Sequence, residues 1–72
     1  MNAQIVVPKR PKRDCTGADV QQGYLVDGMI YTFDYRRGDV KACKLGRYDP
    51  GSWQATGDEF KLSETMLRLI NK

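Results

Sequence analysis

The feature that most constrains the fold is a hairpin signal between Tyr24 and Tyr35. Two runs rich in aromatic and aliphatic residues flank Asp27-Gly28, a pair that suits a two-residue type I′ turn because both central positions need positive φ angles. With this turn, Tyr24 faces Tyr31 across the hairpin. Alternation then places one set of residues on a single face: Tyr24, Val26, Met29, Tyr31, Phe33 and Tyr35.

Turn signals after this hairpin predict further strands. Residues 36–39 suit a second reversal, and residues 40–45 return as a third strand. Asp-Pro-Gly-Ser at 49–52 predicts another turn. Residues 53–55 suit a short strand and residues 56–58 a further reversal, although the sequence leaves open whether residues 52–62 form one strand or two.

The C-terminal residues carry a helix signal. Ser63 is a favourable N-cap, and Glu64 lies in the first turn, where the helix dipole favours an anion. Leu62 and Leu67 have the spacing of a hydrophobic staple. The predicted fold is therefore α+β: a small antiparallel β-meander of three to five strands with one short C-terminal helix.

All of the net positive charge lies near the N-terminus. The first thirteen residues contain four basic residues and no acid, whereas the rest of the chain has eight basic and nine acidic residues. The four are Lys9, Arg10, Lys12 and Arg13. Pro8 and Pro11 lie among them and favour an extended path. We therefore expect residues 1–22 to be a disordered, flexible basic arm and linker, and residues 23–72 to form a small binding domain.

The cysteine and histidine content limits the chemistry. Cys15 and Cys43 are the only cysteines, and the chain contains no histidine. Two such ligands cannot complete the four-ligand shell of a structural zinc site, so we expect no metal or cofactor. An intrachain disulfide is an alternative, but small disulfide scaffolds usually carry four or more cysteines, and we favour two free thiols. Without a histidine base for a nucleophile, we expect no enzymatic activity.

The hydrophobic segments are short. No run approaches the roughly 18 apolar residues that a membrane span needs. The apolar stretch at residues 5–7 is too short for a secretory signal, and basic residues follow it rather than precede it. We therefore expect an intracellular, cytoplasmic protein with no membrane partner.

Together these properties favour a small non-enzymatic regulatory protein. Its size, charge layout and lack of catalytic residues resemble those of small accessory proteins of bacteriophages and mobile elements, which inhibit or redirect host machinery such as RNA polymerase. The resemblance implies a monomer that docks on a larger protein complex. The alternative is direct nucleic-acid binding, through the basic arm and an Arg/Lys patch on the second hairpin.

The candidate contact residues form two sets, and neither contains a catalytic or metal-binding residue. The basic set joins the arm to the second hairpin: Lys9, Arg10, Lys12, Arg13, Arg36, Arg37, Lys41, Lys44 and Arg47. The aromatic set consists of Tyr24, Tyr35 and Trp53. Aromatic and arginine side chains dominate the energetics of protein interfaces, whereas lysine and arginine neutralise phosphates.

Overall fold

The computed structural model describes residues 1–36 and 38–71, which form an antiparallel five-stranded sheet followed by one helix. The elements are β1 (Asn2–Pro8), β2 (Gly23–Val26), β3 (Met29–Arg36), β4 (Asp39–Arg47), β5 (Trp53–Lys61) and α1 (Glu64–Ile70). The strands lie in the order β4-β3-β2-β1-β5, so β4 and β5 are the edges. The predicted α+β class, with an antiparallel meander and a C-terminal helix, is confirmed.

The β2–β3 hairpin has the predicted turn and register. Asp27 has a φ angle of 50° and Gly28 one of 80°, as a type I′ turn requires. Tyr24 pairs with Tyr31 on the face predicted for the aromatic residues. We call this side of the sheet the first face, and the opposite side the second face.

The N-terminal residues form a strand instead of an arm. β1 lies between β2 and β5, where Ile5 pairs with Tyr24 and Val6 pairs with Ala55. Ala3 and Val6 are completely buried. The prediction of a disordered arm over residues 1–22 is therefore wrong for β1, because a run of aliphatic residues gains more by burial between two strands than it loses in chain entropy.

The connection between β1 and β2 is tied to the second face. Cys15 forms a disulfide with Cys43 of β4, with an S–S distance of 1.97 Å. The backbone N–H of Val20 donates to the carbonyl of Lys12 at 2.9 Å, and the Val20 side chain is buried. The preference for two free thiols was thus wrong. It rested on the rule that small disulfide scaffolds usually carry four or more cysteines, whereas here the β1–β2 connection brings Cys15 beside β4.

Both faces of the sheet carry a small core. Under helix α1, the first-face core contains the buried residues Ala3, Val26, Leu62 and Met66, with Tyr24, Tyr31, Phe33 and Phe60 packed against them. The second-face core contains Val6, Val20, Ile30 and Trp53, flanked by Leu25, Leu45 and Tyr48. Residues from the β1–β2 and β4–β5 connections therefore complete the second core.

Strand β5 runs through the segment that was predicted to reverse the chain. Trp53–Lys61 is a single strand, but its register against β1 shifts between Gln4 and Val6. Gly57 has a φ angle of 86° at this irregularity. The segment 56–58 is therefore a β-bulge rather than a turn, because a glycine at positive φ serves either purpose.

The β4–β5 connection contains the predicted turn. The Asp49 carboxylate accepts hydrogen bonds from the backbone of Gly51 at 3.0 Å and from the hydroxyl of Ser52 at 3.2 Å. The Ser52 carbonyl accepts from the backbone N–H of Lys9 at 2.8 Å. This bond joins the turn to the end of β1 and positions the residues that follow.

The start of α1 matches its sequence signal. The Ser63 hydroxyl accepts from the backbone N–H of Met66 at 3.3 Å, so the predicted N-cap is confirmed. Met66 is buried, and Leu67 and Ile70 pack against the same first-face core. The helix therefore covers the first face with its apolar side, as a helix of this length must do to be stable.

Candidate binding surfaces

Tyr35 is the most exposed aromatic side chain in the described part of the chain. It is 62% exposed, and lies on the first face at the end of β3 that is remote from the Asp27-Gly28 turn. Its hydroxyl makes one long contact, 3.9 Å, with the sulfur of Met66. The backbone beneath it pairs with Val40 of β4. A strand pair, rather than a mobile loop, therefore presents this ring to solvent.

Of the other two aromatic candidates, Tyr24 is partly buried and Trp53 is buried. The Tyr24 ring centroid lies 5.3 Å from that of Phe33 and 5.1 Å from that of Phe60. Trp53 is 4% exposed and belongs to the second-face core. The interpretation of Trp53 as an exposed anchor is therefore wrong, because β5 begins at this residue and directs the indole toward Val6 and Val20.

Within the part of the second hairpin that the structure describes, the two lysines do not form one patch. Because side chains alternate along a strand, Lys44 lies on the first face and Lys41 on the second. Arg37 lies outside the described residues. The β3–β4 register sets Lys44 opposite Tyr31, Lys41 opposite Asp34, Arg36 opposite Asp39 and Arg47 opposite Met29. The described lysines of this hairpin thus lie on two faces, and Lys41 has a carboxylate residue opposite it.

The cations of the predicted arm lie in a fixed segment, residues 9–13, which we call the basic loop. The Lys9 ammonium donates to the carbonyl of Pro50 at 2.7 Å, next to the backbone bond from Lys9 to Ser52. At the other end, the backbone of Arg13 forms a bridge with that of Asp19. Both ends of the basic loop are therefore anchored to the folded domain.

Two carboxylates lie near the basic loop, and the ion pair of one of them, Asp19, neutralises little of the loop's charge. The Asp14 carboxylate accepts from the backbone N–H of Thr16 at 2.8 Å and of Ala18 at 3.2 Å, which closes its own turn. Asp19 lies 3.8 Å from the guanidinium of Arg13, but both side chains are more than 70% exposed. An ion pair this exposed contributes little because water screens it. The loop consequently keeps a positive field.

The described residues contain neither a cluster of metal ligands nor a helix that could span a membrane. Within residues 1–36 and 38–71, no group of three His, Cys, Asp or Glu side chains is placed to hold a metal ion. None of the helices there is long and apolar enough to cross a membrane.

Comparison of the chain with protein-family profiles, curated proteins and solved structures finds no match. The candidates for binding a partner are therefore the two surfaces described above, the Tyr35 end of the first face and the basic loop.

Proposed function

We propose that this protein is a small regulatory protein that acts by docking on a larger protein, with Tyr35 as the anchor. The observation that carries the proposal is the 62% exposure of an aromatic ring held on a paired strand. Tyrosine is enriched among interface hot spots because a large, stiff ring loses little entropy when it is buried. A rigid strand adds to this advantage, since its backbone does not have to be ordered on binding.

The surroundings of Tyr35 match the usual anatomy of an interface. Val40 stands opposite it and is partly buried, and Met66 lies beneath its hydroxyl. Lys44 is exposed further along the same face. An apolar centre with a charged rim is typical of protein interfaces. The partner is therefore expected to offer an apolar pocket with acidic groups beside it.

In this proposal the protein acts as a monomer, and its partner is a component of larger host machinery, of which RNA polymerase is an example. The support for this proposal is the resemblance in size and charge layout to phage accessory proteins. The proposed cytoplasmic location has one structural consequence. A cytoplasm keeps most thiols reduced, so the backbone hydrogen bonds of the β1–β2 connection would hold it there without the disulfide, whereas an oxidising compartment would add the cross-link between Cys15 and Cys43. Alkylation of free thiols in intact cells, read by mass, distinguishes the two.

The test compares Tyr35→Ala with Tyr35→Phe. Partners are first captured on the wild-type protein from its source cell, in nuclease-treated extract, and the affinity for the purified partner is then measured by calorimetry. We expect Tyr35→Ala to weaken binding by about 30-fold or more, which corresponds to about 2 kcal/mol for a hot spot. Tyr35→Phe should bind within about threefold of wild type, because it keeps the ring.

Two controls show whether a loss of binding comes from the Tyr35 side chain rather than from unfolding or from any surface change. The melting temperature of Tyr35→Ala should stay close to that of wild type, since substitutions of exposed residues usually change stability by less than about 0.5 kcal/mol. Gln54→Ala, at an exposed position on β5, is the matched control and should bind normally. A folded Tyr35→Ala protein that binds the captured partner as tightly as wild type contradicts the proposal.

A further inference from the structure

The basic loop combines a high density of cations with a fixed backbone. Four of its five residues are lysine or arginine, and the fifth is Pro11. Three attachments hold it: the Lys9–Ser52 backbone bond, the bond between Val20 and Lys12, and the disulfide two residues beyond the loop. A ligand of such a segment does not have to pay for ordering it, because folding has already done so.

Most of the side-chain donors in the loop remain available. Lys9 uses one of three ammonium protons on Pro50, and Arg13 uses one terminal nitrogen on Gly17 at 2.9 Å. Arg10 is exposed and has no partner among the described residues, and Lys12 is partly exposed. The loop can therefore donate several charge-assisted hydrogen bonds to one anionic ligand.

The density of cations in this short segment suits a repeating anion. Five residues span at most about 17 Å. One strand of a nucleic acid carries one phosphate for about every 3.4 Å of helix rise, so a stretch of the same length presents several phosphates of a single sign. An acidic protein surface mixes signs and lacks this regular spacing. The linear charge density of the loop thus favours a nucleic acid.

We propose that the basic loop is a second binding site, which takes the phosphodiester backbone of a nucleic acid. It goes beyond the proposed docking on a protein, because the loop is bonded to Val20 of the second-face core, whereas Tyr35 lies on the first face. In the oxidised protein the disulfide also orders this site, because it attaches the chain just after Arg13 to β4. Binding is independent of base sequence, because phosphates carry no sequence information.

The test is a salt titration with fluorescein-labelled 20-nucleotide probes of random sequence: duplex DNA, single-stranded DNA and RNA. Anisotropy is followed between 50 and 200 mM NaCl. Four phosphate contacts on duplex DNA predict a slope of log K against log salt of about −3.6, which is roughly a 150-fold loss across this range. Binding of any of the three probes with a slope between about −2 and −4 supports the site and identifies the nucleic acid.

A double variant locates the binding. Arg10→Gln with Lys12→Gln should make the slope less negative by about two units, whereas the matched control Lys61→Gln with Arg68→Gln should leave it near wild type. Arg10→Gln with Arg13→Gln serves as a second variant, since Lys12 is partly buried. Cys15→Ser with Cys43→Ser should also weaken binding at unchanged net charge.

Three outcomes would overturn the proposal. The first is a wild-type slope near zero. The second is an equal loss in the loop variants and in the Lys61/Arg68 control, which would mean that net charge alone acts. The third is competition by polyglutamate of matched charge that is as effective as unlabelled DNA, because this would assign the loop to an acidic protein. None of these measurements involves Tyr35, so they fail or succeed separately from the proposed protein docking.

Discussion

Loss of the Cys15–Cys43 disulfide should lower the free energy of unfolding by about 3–4 kcal/mol. The two cysteines are 28 residues apart, and the chain-entropy model for a closed loop of this length gives a value of that size at 25 °C. A domain of 72 residues has a total stability of roughly 4–11 kcal/mol. The disulfide would thus supply a third or more of the stability, and its loss should reduce the melting temperature by roughly 12–30 °C.

Urea titration followed by the fluorescence of Trp53 measures this change directly. Trp53 is the only tryptophan in the chain and lies in the second-face core, which also contains Val20 from the disulfide-bonded connection. Four samples should be compared: the oxidised wild type, the same protein after reduction, Cys15→Ser, and the double variant with Cys43→Ser. If the cross-link is the cause, the last three should share one midpoint, well below that of the oxidised protein.

Two results would refute this reasoning. One is that the unfolding free energies of the oxidised and reduced proteins agree within about 0.5 kcal/mol, which would mean that the other contacts of the connection hold it without the disulfide. The other is the persistence of two titratable thiols in protein that has been exposed to an oxidised glutathione buffer. That result would show that Cys15 and Cys43 do not meet in the folded state.

Two further substitutions test the packing. A Cβ added at the buried Gly23 would lie 2.7 Å from a methyl carbon of Ile30, so Gly23→Ala should cost about 1–3 kcal/mol of stability in urea titrations. Gly51→Ala is the control and should cost much less, because the atom nearest to its Cβ would be 3.4 Å away. Equal losses of stability in the two variants would contradict the packing. Ser63→Ala removes the hydrogen bond to the backbone of Met66 and should cost about 1 kcal/mol, within a range of roughly 0.5–2, so an unchanged melting curve would rule out the cap.

The elements that could be predicted from the sequence depend on near neighbours along the chain. Asp27-Gly28 fixes a two-residue loop, and such a loop sets the register of its strands without help from distant residues. Ser63 likewise acts on a backbone group three residues away. The β2–β3 hairpin and the helix cap were predicted correctly for this reason.

The elements that could not be predicted depend on distant pairing. β1 is held by β5, where Gln4 pairs with Glu59, more than fifty positions along the chain. Nothing near residues 5–7 indicates such a partner, while the adjacent prolines and cations suggest an extended arm. The sequence around Gly57 predicts a turn, whereas the structure has a bulge there. A glycine with a positive φ angle suits either structure, and only the pairing with β1 distinguishes them.

The candidate site was predictable only where exposure follows from position. Tyr35 lies at one end of the aromatic stripe, where its hydroxyl contacts Met66 but most of its ring is exposed. The position at the end of the stripe suggested this exposure, although it suggested the same for Tyr24, which packs against Phe33 and Phe60. The burial of Trp53 depends on Val20, which the β1–β2 connection brings over the second face. An aromatic residue beside a turn, as Trp53 is, suggests an interface anchor when only the sequence is considered. Side-chain type therefore identified candidates, and the fold decided which of them face solvent.

The position of the disulfide joins the two proposed sites in one structural unit. Cys43 lies on β4, and β4 pairs with β3 from Tyr35 to Met29. In the oxidised protein the cross-link therefore attaches the chain just after the basic loop to the second face of the same strand pair that presents Tyr35 on the first. A protein bound at Tyr35 and a nucleic acid bound at the loop would lie on opposite sides of one sheet, with neither blocking the other. We infer that such an arrangement suits a regulator of machinery that already holds a nucleic acid, since binding at both sites would add their free energies and favour the assembled complex over either component alone.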